Sequence, residues 1–260
     1  MQIFGGIHRG FTPPSSGALK ILSFGTNSES TGLDLDAEKS WNKELGLRGN
    51  VSLINFELSA FHVGIENLVA AGRGTAFKNL GKVNTMGMEL NTVFSLSKSF
   101  NLLPDFHLSY TFLKTAVVDG KIKSNVSGKV GSEVSIKDKE LPYAPRHTLT
   151  AGMSGNYFNS FSFRLDFRYV SKVYTDFENI EKQDNLGIAG SIDAYSFVNI
   201  SANYEINPSY RIFFSGKNIT DQIYIGSRLH SNPGQPQANL SSGIIPGPRR
   251  QINIGLEYSF

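Results

Sequence analysis

The sequence of 260 residues contains no cysteine. Disulfide bonds and thiolate metal sites are therefore excluded. The five histidines show no His-x-x-x-His spacing, no serine lies in a nucleophile-elbow pattern, and Gly72-Arg73-Gly74 lacks the rest of a phosphate-binding loop. The net charge of +3 is too small to indicate nucleic acid as a partner. These absences argue against an enzyme, a resident cofactor and a protein-held metal site.

The sequence also lacks any run that approaches the roughly 18 consecutive apolar residues of a membrane-spanning helix. A chain of this kind can enter a membrane only as a β-barrel, because lipid offers no partners to backbone polar groups. The first residues, MQIFGGIHRGFTPP, show none of the features of a secretory signal. Since an outer-membrane protein needs such a signal, we expect an N-terminal portion outside this sequence.

What the sequence does contain is alternation of apolar and polar residues, in about ten segments. In FSFRLDFRY, which begins at Phe161, large apolar residues alternate with serine and charged residues. The closing run at 249–260, RRQINIGLEYSF, alternates in the same way and ends on an aromatic residue. A period of two places the apolar side chains on one face of a strand. Lys43, which interrupts the apolar face of segment 40–48, is predicted to lie at a membrane boundary.

The connections between these segments alternate in length, with turns of about two to eight residues and loops of roughly 18 to 30. This asymmetry is typical of outer-membrane barrels, which have short periplasmic turns and long external loops. A compact soluble domain rarely contains five such loops. Strands that lead into long loops would run outward, which predicts that Phe260 lies in the periplasm. The long loops are predicted to end near residue 37 and to span about 64–84, 118–142, 174–192 and 218–248.

Six stretches are more specific than this pattern. They are IHRGFTPPS (7–15), LDAEKSWNKELGLR (35–48), KNLGKVNTMGMEL (78–90), LPYAPRHTLTAGM (141–153), GKNITDQIYIGSR (216–228) and GIIPGPRR (243–250). Together, in this order, they resemble the C-terminal part of the barrel in TonB-dependent outer-membrane receptors, most closely the ferric citrate receptor group. Ala37 departs from the proline that is usual at its position in that group.

The resemblance implies an all-β fold, a transmembrane antiparallel β-barrel. Residues 1–260 would supply about ten strands of a probable barrel of about 22, without the plug domain. It also implies a receptor in the outer membrane of a Gram-negative bacterium that binds a ferric chelate, either ferric citrate or a siderophore. TonB would energise uptake through the missing N-terminal region. The completed barrel is expected to be a monomer in contact with outer-membrane lipid.

Ferric chelates of this kind are anionic, so such a receptor needs cations or hydrogen-bond donors on its external loops and upper lumen. For each candidate, a solvated loop charge or an ion pair in the lumen is the favoured explanation over ligand binding. Arg164, Asp166 and Arg168 are predicted to form a network on the polar face without a ligand. The candidate ligand-binding residues are Arg73, Lys78, Arg228, His230 and Arg249.

Two alternatives remain open at this stage. A self-contained ten-stranded barrel, acting as a pore, adhesin or surface enzyme, would pair segment 2–9 with segment 252–258. A soluble β-sandwich that binds carbohydrate would instead bury its apolar faces against each other. The side chains that the sandwich has to bury are Phe163, Phe167, Val198 and Ile254.

Overall fold

Fifteen β-strands and one short 3-10 helix, Leu96–Lys98, form the described part of the chain. The computed structural model describes residues 1–14, 35–70, 78–124, 126, 128–185, 187–228 and 243–260. The strands are β1 (Gln2–Thr12), β2 (Glu38–Val51), β3 (Ile54–Glu66), β4 (Val69–Ala70), β5 (Lys78–Asn79), β6 (Gly81–Phe94), β7 (Asp105–Lys123), β8 (Glu133–Ser135), β9 (His147–Tyr157), β10 (Phe161–Val170), β11 (Tyr195–Asn207), β12 (Tyr210–Lys217), β13 (Ile225–Arg228), β14 (Ile244–Pro246) and β15 (Gln251–Tyr258).

Ten of these strands form one antiparallel sheet, called the wall sheet below. Its order is β1-β2-β3-β6-β7-β9-β10-β11-β12-β15, so each strand pairs with the next long strand in the sequence. The short strands lie in the connections, where β8 pairs with β7, β4 with β5, and β13 with β14. The prediction of about ten wall strands is confirmed. The alternating residues explain the result, because a period of two gives every strand one polar face and one apolar face.

The connections alternate as predicted. Short turns at 52–53, 95–104, 158–160 and 208–209 lie at one end of the wall sheet, and long connections at 13–37, 67–80, 124–146, 171–194 and 218–250 lie at the other. These are called the short-turn end and the long-loop end. The residue types of Gly49 and Asn50 predict a tight turn at these two positions. That prediction is wrong, since both residues lie in β2 and Val51 pairs with Ile54 across a two-residue turn. The loops predicted at 64–84 and 118–142 are shorter or shifted, because β3, β6 and β7 extend further.

The apolar face of the wall sheet is not covered by a second layer. Phe167 is 37% exposed and Ile254 is 74% exposed. Phe163 and Val198 are half-buried. None of the four side chains that a sandwich has to bury is buried, so the soluble sandwich is wrong. An uncovered apolar face of this extent marks an interface.

A compact apolar core does exist, but it lies at the long-loop end rather than along the sheet. Val83 and Val117, on the polar face of β6 and β7, are almost completely buried under the connections. Phe177 and Leu141 pack around this core from two other long connections. Described parts of three long connections thus pack together over this end of the sheet. No helix in the described residues is long and apolar enough to cross a membrane. The core residues are Leu80, Val83, Val117, Ile122 and Ile136.

The two edge strands lie at opposite ends of the wall sheet. Among the described residues, β1 pairs with β2 alone and β15 pairs with β12 alone. The self-contained barrel, which required β1 to pair with β15, is therefore wrong. Unpaired backbone groups in lipid cost several kcal/mol each, so each edge requires another strand beside it.

Candidate functional site

The polar face of the wall sheet faces the lumen of the barrel, and its side chains bond across strands. The Arg48 Nε donates to the Gln2 Oε1 at 3.0 Å, and the Ser109 Oγ donates to the Asn91 Oδ1 at 2.6 Å. Such cross-strand pairs stabilise the sheet and fix its register. Most of this face thus needs no ligand to satisfy its polar groups.

The predicted network on β10 is confirmed in part. The Arg164 Nε lies 2.8 Å from the Asp166 Oδ2, and the His107 Nε2 lies 2.6 Å from the Asp166 Oδ1. Gly152 separates His107 from Asp166 in the register, and its missing side chain lets the imidazole cross to β10. Arg168 does not take part, since it forms no hydrogen bond or ion pair with any described residue.

Arg168 instead lines a concavity of about 340 Å³ at the long-loop end of β10, β11 and β12. Lys217, at the end of β12, is a second cation in its wall. Within the described part of the chain, Lys217 also has no hydrogen-bond or ion-pair partner. The carboxylate that lines the concavity, Asp166, is already shared by Arg164 and His107. The concavity therefore presents two uncompensated positive charges to the lumen. We call it the lumen pocket.

Stacked aromatic rings border the lumen pocket. The Tyr224 ring centroid lies 4.2 Å from that of Tyr195 and 5.7 Å from that of Phe197. Gly247 packs against the Tyr224 ring so closely that a side chain there would collide with it. Burial raises the pKa of the Tyr224 hydroxyl, which keeps it neutral and available as a hydrogen-bond donor. Aromatic faces and cations together suit a planar anionic ligand.

Asn218 holds together the described ends of the last long connection, beside the lumen pocket. It is almost fully buried and adopts a left-handed backbone conformation, with a φ of 46°. Its Nδ2 donates to the carbonyls of Gln222 and Pro248, each at 2.9 Å, and its Oδ1 accepts from the Gln222 amide at 2.9 Å. Its own amide donates to the Asn199 Oδ1 on β11 at 2.9 Å. The Asn218 side chain thus joins both ends of the last long connection, and the Asn218 backbone amide links them to the wall.

Arg249, a predicted ligand-binding residue, pairs with Asp221 in the same connection. The Arg249 Nε and Nη2 donate to the two Asp221 carboxylate oxygens at 2.8 and 2.6 Å. The Arg250 amide donates to the same carboxylate at 3.1 Å. These bonds hold the pKa of Asp221 well below its usual range and raise the pKa of Arg249.

Arg228, another predicted residue, is only 2% exposed. Its guanidinium donates to the carbonyls of Gly190 at 2.9 Å and Ser191 at 3.2 Å, to the Gln183 Oε1 at 3.1 Å, and to the Gly187 carbonyl. All of these acceptors belong to connection 171–194. The Tyr143 hydroxyl bonds to both the amide and the carbonyl of Arg228, at 3.1 Å each. Arg228 therefore joins three long connections.

The remaining predicted residues are less informative. Lys78 lies in the short strand β5, opposite Ala70. Arg73 and His230 lie outside the described residues. Neither Arg228 nor Arg249 is among the described residues that line the lumen pocket. Contact of the five predicted residues with ligand stays a prediction. The sequence alone predicts Arg168 in the ion network and does not single out Lys217. The signal that points to both is a cation on the polar face close to a long connection.

Comparisons with known proteins agree with this architecture. A family model described as TonB dependent receptor-like, beta-barrel, matches residues 1–219. The ferric citrate transporter FecA in its unliganded form has a TM-score of 0.73 at 19% identity, and 98% of this chain and 35% of that chain are covered. The ferric yersiniabactin uptake receptor FyuA from Yersinia pestis has a TM-score of 0.68 at 16% identity, covering 99% and 35%. The copper transporter OprC has a TM-score of 0.70 at 15% identity, covering 99% and 37%.

No curated protein sequence matches the chain. At these low identities the solved structures show the fold, whereas the family model, which spans most of the residues, shows the family. The chain covers little more than a third of the length of these structures. The family comprises outer-membrane transport proteins of Gram-negative bacteria rather than enzymes. This chain belongs to the TonB-dependent receptor family and forms a section of the outer-membrane β-barrel wall with its external connections.

Proposed function

We propose that this chain supplies external loops and lumen wall to a receptor for a ferric chelate. The observation that carries the proposal is the lumen pocket, where Arg168 and Lys217 have no acidic partner among the described residues. Ferric citrate and many ferric siderophores carry negative charge. Two unpaired cations next to stacked aromatic rings are the groups that attract and orient such a ligand.

The pocket is also in the right place for capture. It lies at the long-loop end, which faces the exterior in this family, and Asn218, Tyr224 and Pro248 of the last long connection line it. A chelate entering from outside would meet these cations before it reached the middle of the lumen. Charge on the wall of a narrow cleft also raises the local concentration of an oppositely charged ligand.

The predicted loop cations have two proposed roles. Arg73, Lys78 and His230 would contact the chelate from the external side. Arg228 and Arg249, whose guanidinium groups are already hydrogen-bonded, would position the loops around it. Uptake would be energised through TonB, which would act on a region outside this sequence. The complete receptor would be a monomeric barrel in which further strands pair with β1 and β15 and enclose the lumen.

Among the similar structures, the named cargoes include ferric citrate, ferric yersiniabactin and copper. One fold therefore serves several cargoes, and the ligand has to be identified by the site and by experiment. The negative charge expected of the ligand favours a ferric polycarboxylate or another anionic ferric siderophore over a free copper ion, which two cations would repel.

Uptake of radioactive iron by cells that produce the full-length receptor tests this proposal. Ferric citrate and a panel of anionic and neutral ferric siderophores would be compared in a strain without other receptors. We expect uptake of at least one anionic chelate, and an Arg168→Gln/Lys217→Gln variant should need about tenfold more chelate for half-maximal uptake. Lys129→Gln/Lys137→Gln, which removes two exposed loop charges, is the matched control. Equal uptake by both variants at every concentration would refute the role of the pocket.

The coupling to TonB is tested separately in the same cells. A protonophore or deletion of TonB should abolish uptake while surface binding of the chelate persists. Uptake that continues at the same rate without TonB would contradict the proposed energy source.

A further inference from the structure

The apolar face of the wall sheet changes character at its long-loop end. Cross-strand register places Lys43 on β2 opposite His62 on β3, His62 opposite Met86 on β6, and Met86 opposite Lys114 on β7. Three basic side chains thus lie in one row across four adjacent strands. On β1, Ile7 is the residue of this row, and Arg9 lies one row further toward the long loops. Arg9, Lys43, His62 and Lys114 are called the basic belt.

The side chains of the belt lack acidic partners. Among the described residues, none of the four forms a hydrogen bond or an ion pair, and the Arg9 guanidinium lies over the Trp41 ring at 5.7 Å. The nearest carboxylate on this face belongs to Glu66, which lies two rows closer to the long loops. It already pairs with Lys82 at 3.1 Å. Arg9, Lys43 and Lys114 are exposed, and His62 is half-buried. The belt therefore carries an uncompensated positive charge.

The row directly below the belt is apolar. Leu45, Ala60, Met88 and Phe112 are paired with one another across β2, β3, β6 and β7. Hydrocarbon would cover this row, and the belt would lie at the level where lipid headgroups begin. Neighbouring strands are about 4.8 Å apart, so Lys43 and Lys114 lie roughly 14 Å apart across the row. Several cations spaced in this way can meet a headgroup that bears more than one phosphate.

Snorkelling of lysine toward water does not by itself explain the belt, because it would act equally at both boundaries. At the short-turn end, the same face carries no charged residue in the described strands and ends in an aromatic girdle. The two ends of this face thus differ in residue type, with basic side chains at the long-loop end and aromatic side chains at the short-turn end. The aromatic girdle comprises Phe94, Phe106, Tyr157, Phe161, Tyr204, Tyr210 and Tyr258.

We propose that the basic belt is a binding site for a phosphorylated lipid of the outer leaflet. Its acyl chains would cover the apolar row of Leu45 and Met88, and its phosphate groups would lie between Lys43 and Lys114, with His62 and Arg9 at the sides. Charge complementarity selects this occupant, since juxtamembrane cations bind anionic headgroups and each contributes to affinity. The proposal rests on the membrane position of the wall sheet and not on the ligand of the lumen pocket.

The test uses the full-length receptor, extracted from outer membranes in mild detergent. Native mass spectrometry would measure the fraction that retains a bis-phosphorylated glycolipid of the lipid A type. We expect retention by the unmodified receptor, and a loss of about tenfold or more in a Lys43→Gln/Lys114→Gln variant, at roughly fivefold per cation. A Lys43→Arg/Lys114→Arg variant should retain the lipid. Lys129→Gln/Lys137→Gln removes the same charge from an exposed loop and should have no effect.

Unchanged retention in the Gln pair would overturn the proposal, as would an equal loss in the loop control. A second measurement does not depend on the folding of variants. The unmodified receptor would be placed in phosphatidylcholine bilayers with and without 10% lipid A, and acylation of its lysines would be followed by mass spectrometry. Lipid A should slow the labelling of Lys43 and Lys114 severalfold and leave Lys137 unchanged. Labelling rates that ignore lipid A would overturn the site even if every variant failed to fold.

Discussion

The carboxylate of Asp221 holds the guanidinium of Arg249 through two hydrogen bonds, at 2.8 and 2.6 Å. The two residues stand near the start and the end of connection 218–250, so this pair closes the base of the last long loop above the lumen pocket. The two described ends of this connection are therefore fastened to each other.

The pair predicts a specific dependence on pH. Because the pKa of Asp221 is lowered in the folded protein, its stabilisation is fully present above the ordinary aspartate pKa of about 4. It is lost only as the pH falls through the lower folded-state pKa. We expect hydrogen exchange of the Arg250 amide, corrected for its intrinsic pH dependence, to stay slow from pH 7 to pH 5. Asp221→Asn should make this amide exchange faster across that whole range, and an exchange rate equal to that of the unmodified protein would contradict the role of the pair.

The hydrogen bonds of Arg228 predict that the order of connection 171–194 depends on a residue of connection 218–250. Lysine cannot reproduce its planar fork, so Arg228→Lys should leave several buried carbonyls of connection 171–194 without a donor. Hydrogen bonds to a charged group contribute about 1.5–3 kcal/mol each, which predicts at least tenfold faster chymotrypsin cleavage within 171–194. Arg250→Lys is the control, because the Arg250 side chain is exposed and its ion pair with Asp221 is long, at 3.8 Å. Cleavage of 171–194 at the same rate in both variants would show that Arg228 does not hold that connection.

Two substitutions of Asn218 test its left-handed backbone conformation and its side-chain hydrogen bonds separately. Asn218→Gly keeps the left-handed conformation but loses the side-chain bonds, whereas Asn218→Asp keeps the acceptor and loses the donors. At about 1 kcal/mol per bond, the glycine variant should lower the free energy of local opening by about 2–3 kcal/mol. The aspartate variant should lower it less, because the bond from the Gln222 amide survives. Hydrogen exchange of that amide measures the difference, and identical exchange in both variants would mean that the side chain matters little.

Two glycines on the lumen side lie under phenylalanine rings from the neighbouring strand. The three atoms nearest to a side chain at Gly46 all belong to the Phe4 ring, whereas a side chain at Gly87 would meet both the Phe61 ring and the Phe112 carbonyl oxygen, each at 2.5 Å. Gly46→Ala should therefore impair assembly in the outer membrane, and Phe4→Ala should restore it. Gly87→Ala should impair assembly without rescue by Phe61→Ala, because the backbone cannot move aside. The heat-modifiable shift of the folded barrel on gels is the measurement, and equal rescue at both sites would refute this distinction.

Much of the architecture was predictable because it depends on patterns among residues that are close in the sequence. Apolar residues at every second position predict strands, their faces and the ten-stranded wall, and loop lengths predict which end of the strands meets the exterior. The resemblance of six short stretches predicts the family. Exact turn positions were less accessible, since Gly49 and Asn50 have turn chemistry and yet pair within β2.

The candidate site was predicted less well. Arg228, Arg249 and Arg168 look alike in the sequence, each a cation near a long loop. Their partners differ only in space: carbonyl groups from a distant connection surround Arg228, Asp221 neutralises Arg249, and Arg168 faces the lumen without an acidic partner among the described residues. Charge and periodicity are properties of a residue and its chain neighbours. Whether a cation is free to bind depends on groups brought beside it by cross-strand register and loop packing, which only the tertiary structure decides.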